Sequence, residues 1–108
     1  MASRRKLYHK LAYKTGMKYH EIRVKTMEVA TSAAKKLLEE AIGPEGAKYP
    51  GEAWFKVLSF VLPTFWGIVR KELRIPTVDE VISAVKSKFP NWATEVKNAY
   101  EESLAYTE

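Results

Sequence analysis

Lys6, Lys10, Lys14 and Lys18 fall four residues apart. On a helix that spacing stacks side chains into a row that drifts slowly around the axis. A row of ammonium groups suits a line of phosphates, and duplex DNA presents one such charge about every 1.7 Å of its axis. Arg4 and Arg5 extend the charge before the row, Arg23 and Lys25 extend it beyond, and Tyr8, Tyr13 and Tyr19 interleave. These eight cations meet one acid, Glu21, within the first 25 residues, whereas the other 83 residues hold ten cations and twelve acids. A face that only solvates a helix mixes signs, and this one hardly does. The reading is nucleic acid, with a solvated face and a surface for an acidic protein or lipid as its rivals. Base readout draws on Arg, Asn and Gln aimed at base edges. This segment is rich in lysine and has neither amide, so backbone contacts blind to sequence are expected.

Other chemistry finds little to build on. His9 and His20 stand eleven apart without a His-x3-His spacing, so no metal site is expected; beside phosphates either imidazole would gain a proton more readily. Ser32-Ala-Ala-Lys35 and Lys14-Thr15-Gly16 match short motifs of penicillin-recognising serine enzymes. Here they occur in the wrong order, in helical sequence, in a chain of 108 residues. There is no cysteine, one Asp and no glycine-rich phosphate loop. No disulfide, thiol nucleophile, acid–base pair or cofactor site can be assembled, and a non-enzymatic protein is expected.

The elements that position the cations read as helices throughout. From Ser3 to Ile42 the chain is helical, in one piece or in two kinked at Gly16, which costs about 1 kcal/mol inside a helix. Tyr19, Ile22, Thr26, Val29, Ala33 and Leu37 share one face, and Ala30, Ala33 and Ala34 let another helix approach closely. Gly43–Pro44 stops the helix, and residues 43–51 form a loop. Residues 1–42 thus make a basic helical arm, and 52–108 an apolar helical body within one structural unit.

The body opens with Glu52 to Arg74, apolar nearly all round, where Pro63 should kink or divide the helix. Thr77-Val-Asp-Glu80 is a capping box for a helix ending at Pro90. Asn91 can cap a last one with Trp92, Val96, Ala99, Tyr100 and Leu104 facing inward. The fold class is all-α, with about three helices after the arm. Trp54, Phe55, Phe60, Phe65 and Trp66 supply more apolar surface than the thin alanine-rich stripes can cover, so they are expected to build the core and a contact between subunits. The uncharged run from Val57 to Val69 is too short to span a bilayer as a helix, and a soluble or surface-bound protein is expected. Few Asn and no Gln lean toward a thermophile. The acidic stretch 77–108 could meet the basic front head to tail between copies, or merely solvate an outer face.

In layout, the basic segment Ser3-Arg-Arg-Lys-Leu-Tyr through Lys25, the small-residue helix to Ile42 and the apolar segment Trp54 to Val69 resemble the coat proteins of filamentous and rod-shaped viruses of hyperthermophilic archaea. The resemblance implies subunits that pair with themselves or a related coat chain and wrap linear double-stranded DNA in a helical virion. It also implies, for some members, a surrounding lipid envelope, with host cytoplasm as the place of assembly. The residues leave RNA open as the nucleic acid. They also leave open a small regulator whose helix-turn-helix is formed by Thr77–Phe89 and Trp92–Tyr106.

Overall fold

Glycines and one capping box set the helix ends. The computed structural model describes residues 4–107 as five helices: α1 (Arg4–Thr15), α2 (Tyr19–Lys48), α3 (Glu52–Glu72), α4 (Val78–Lys88) and α5 (Trp92–Thr107). The described residues are all-helical, without a strand. Ser3, the Arg4 and Thr107 side chains and Glu108 lie outside the described part.

At Gly16 the expected kink is a full break. Gly16 adopts φ 73°, a left-handed conformation that glycine takes without a Cβ penalty. Its N–H donates to Ala12 O at 2.9 Å. Thr15 Oγ1 donates to Leu11 O at 2.6 Å and accepts from Met17 N at 3.2 Å, closing the end of α1. The continuous rod over residues 3–42 therefore does not form. Gly43, at φ 82° and ψ 165°, breaks α2 in the expected place. A further helical turn follows through Lys48, so the 43–51 loop is partly helical.

Pro63 divides nothing: α3 runs unbroken past it. The ring removes the bond that Ser59 O would accept, but Ser59 and Pro63 are both exposed, so water can serve that carbonyl. Leu73 closes α3 in the left-handed region, its N–H donating to Val69 O at 2.8 Å. At α4 the capping box forms as read. Glu80 N–H donates to Thr77 Oγ1 at 3.2 Å, and Thr77 N–H donates to Glu80 Oε1 at 3.1 Å.

All five helices share one core. Leu7 and Leu11 enter it from α1, Ile22, Ala33 and Leu37 from α2, Val57, Val61 and Phe65 from α3, Val81 and Val85 from α4, and Trp92 and Val96 from α5. The buried alanines of α2 keep its inner face low, as their size predicts. α1 is thus packed structure as well as a carrier of charge, since each buried leucine contributes about 1.5–3 kcal/mol.

Candidate nucleic-acid interface

With Leu7 and Leu11 buried and Tyr8 and Ala12 packed beside them, the opposite side of α1 is turned out by helical geometry. Arg5, His9 and Tyr13 form one exposed stripe, and Lys6, Lys10 and Lys14 form the next. α1 holds five cations and no acid. Tyr13, the last of the first stripe, stands 94% exposed. The four-residue row ends at Lys14, because the Gly16 break takes Lys18 out of α1 and places it, exposed, immediately before α2.

Lys14 has a second task. Its Nζ donates to Glu72 O at 3.0 Å, placing a cation on the carbonyl end of α3, where the helix dipole favours it. This bond also brings α1 alongside the second half of α3. Arg70 is one turn past Trp66 on α3, on the side where Tyr8 docks, so it adds to the charge around α1. Sequence reasoning missed Arg70, whose place depends on how α1 packs.

Not every expected contact residue joins this face. Tyr8 is half-buried, its ring 4.6 Å from Tyr19 and 5.8 Å from Trp66 between centroids; it braces the junction of α1, α2 and α3. Tyr19 is 52% exposed, but it belongs to α2 and its ring packs on Tyr8. Arg23 and Lys25, two residues apart, point to opposite flanks of α2, about 160° apart. Lys25 lies on the side of Glu28, 3.9 Å from its carboxylate. Arg23 faces a groove between α2 and α3 with Met27, Trp54, Leu58, Leu62 and Trp66.

That groove divides the expected subunit-contact residues. Phe60, Phe65 and Trp66 are buried in the chain's own core and cannot also meet a partner. Phe65 packs edge-on against Trp66 at 5.3 Å, and Phe60 lies 4.9 Å from Phe89. Phe55 remains outward at 64% exposure, and Trp54 is half-buried. Phe55, Leu58 and Leu62 follow one outer ridge of α3, beside Met27 at 61% exposure. α3 is also, among the described residues, the one helix long and apolar enough to cross a membrane, although 44% of its most apolar stretch is buried inside the chain.

No family model, curated protein or solved structure matches this chain.

The site's chemistry is therefore read from its own residues. A cleft of about 460 Å³ between the α1–α2 turn and the α3–α4 connection has a single ionisable side chain on its wall, Lys25. It presents no acid–base pair. Among the described residues no cluster of three metal-ligating side chains forms. What α1 offers is a fixed, one-signed surface with an open tyrosine, which can neutralise phosphates and stack against an exposed base or sugar.

Proposed function

We propose that the chain is a non-enzymatic packaging protein that coats nucleic acid, most simply linear duplex DNA. It binds through phosphate contacts indifferent to sequence, with copies assembling along the nucleic acid as a helical nucleocapsid. The observation that carries this reading is the outward face of α1. Arg5, Lys6, Lys10 and Lys14 stand exposed on a helix that holds no acid and whose other face is locked into the core. Such a face is rigid, so binding orders few side-chain stems beyond the lysines themselves, and it has no amide to read bases. The apolar ridge of Phe55, Leu58 and Leu62 supports contact between copies. A helix-turn-helix reading of α4 and α5 has less support, because exposed Asp79, Glu95, Glu101 and Glu102 would face phosphates.

Fluorescence anisotropy with duplexes of unrelated sequence tests this. The expected result is equal affinity for each sequence, and a loss of tenfold or more in the Lys6→Gln/Lys10→Gln variant. An affinity that depends on sequence, or is untouched by that variant, overturns the reading. RNA duplex and single strands serve as competitors to identify the preferred nucleic acid.

A further inference from the structure

α3 is tied to α1 at one end and to α5 at the other. At its C-terminal end lie Lys14, held on Glu72 O, and Arg70. At its N-terminal end, Glu52 N–H donates to Ser103 Oγ at 2.8 Å, which fixes the last turns of α5 there. These ends are about 30 Å apart.

Beyond Ser103 the α5 tail is exposed through Tyr106. Leu104, expected to face inward, is instead 45% exposed, and Tyr106 is 90% exposed. Glu101 and Glu102, both exposed, have no ion pair among the described residues. Helical spacing puts Leu104 one turn past Glu101, and Tyr106 one turn past Glu102, on the same sides. The tail thus presents acid first and apolar surface second.

The groove between α2 and α3 has the complementary order. Arg23 stands at its end nearer Trp66, exposed and without an ion pair among the described residues. Met27, Leu58 and Trp54 continue it as apolar wall over about 12 Å, two turns of α2. The chain's own tail is tied to Glu52 by Ser103, so the groove is left for another molecule.

We infer that the occupant of this groove is the α5 tail of a second copy of this chain. Glu101 and Glu102 meet Arg23, while Leu104 and Tyr106 lie against Met27, Leu58 and Trp54. The contact joins different surfaces of the two copies. It does not close on itself, and repetition builds an open chain of subunits. It rests on the packaging reading for its purpose, supplying the repeat of the coat, but it forms without nucleic acid.

Sedimentation velocity of the full chain without nucleic acid, over a concentration series at low salt, is the test. The expected mass grows past the dimer with concentration and falls as salt is added. Arg23→Glu and Glu101→Lys/Glu102→Lys should each raise the concentration needed by about tenfold or more. An equimolar mixture of these two variants should recover assembly, because each then presents the opposite charge to the other. Leu104→Ala/Tyr106→Ala should weaken assembly without changing charge. All these positions are exposed, and far-UV circular dichroism verifies that each variant folds. A monomer at every concentration, a dimer that stops at two, or a mixture no better than its components overturns the contact. Duplex binding measured alongside separates the two claims. Binding by a monomer sinks the contact alone, whereas assembly without duplex binding sinks packaging alone.

Discussion

Lys14 Nζ donates to the main-chain oxygen of Glu72 at 3.0 Å, tying the last turn of the basic helix to the last turn of the core helix. One lysine of the cationic row is therefore a structural clasp, whereas Lys10, four residues back, makes no side-chain hydrogen bond or ion pair among the described residues.

Lys10→Gln should reduce the steepness of the salt dependence of duplex binding by about one unit of slope. Lys14→Gln should reduce it less, but lower stability by about 0.3–1 kcal/mol through loss of the clasp. Titrations across salt together with urea unfolding of both variants check the contrast. Equal effects on slope would show that the clasp opens when nucleic acid binds.

Leu11 is fully buried where α1 meets the other helices. Leu11→Ala should cost about 2–5 kcal/mol and lower one shared transition. Far-UV circular dichroism and tryptophan fluorescence, which reports on Trp54, Trp66 and Trp92, should shift together. If fluorescence kept the wild-type midpoint, α1 would be an appendage rather than part of the core.

Glu80 is held by Arg74, whose guanidinium donates to both carboxylate oxygens, and by the N–H of Thr77. The Arg74 bonds, first, and the Thr77 N–H lower its pKa from the ordinary 4.5 to about 2. A depressed acid stabilises the fold fully above its unfolded pKa and loses that contribution as pH falls through its folded one. The melting-temperature gap between wild type and Glu80→Gln should thus be constant near neutrality and close between pH 4.5 and about 2. A gap independent of pH over that window would contradict the pairing.

Thr26 Oγ1 is buried with no hydrogen-bond partner among the described residues. Thr26→Val keeps the branched shape and removes the stranded hydroxyl, so stability should rise by about 1 kcal/mol, or about 4–8 °C in melting temperature. Calorimetry decides this, and a lower melting temperature would mean that the hydroxyl is satisfied.

Features governed by neighbours in sequence were legible from the sequence: the all-α class, the stop at Gly43, and the Thr77–Glu80 box. Features set by packing were not. Lys14 reads as one more cation until α3 is seen beneath it, and Arg23 and Lys25 read as one patch until α2 is turned so that they diverge. Tyr8 reads as a phosphate-side ring, yet a half-buried tyrosine against Trp66 serves the junction instead. Pro63 carried a local rule that failed because the carbonyl it orphans, that of Ser59, belongs to an exposed residue. The aromatic count of α3 was plain, but which rings stay outside depended on how the helices pack, with Phe60 against Phe89 and Phe65 against Trp66 inside and Phe55 left outside.

The central claim is that the outward face of α1 binds phosphates without reading bases, and the salt dependence of duplex binding tests it most directly. Arg5, Lys6, Lys10 and Lys14 lie on that face with Lys18 beside it, so log K should fall with log salt at a slope of roughly −4, the same for unrelated sequences. A slope near zero, or no binding at low salt, would contradict the claim and leave the basic face as a surface for some other partner.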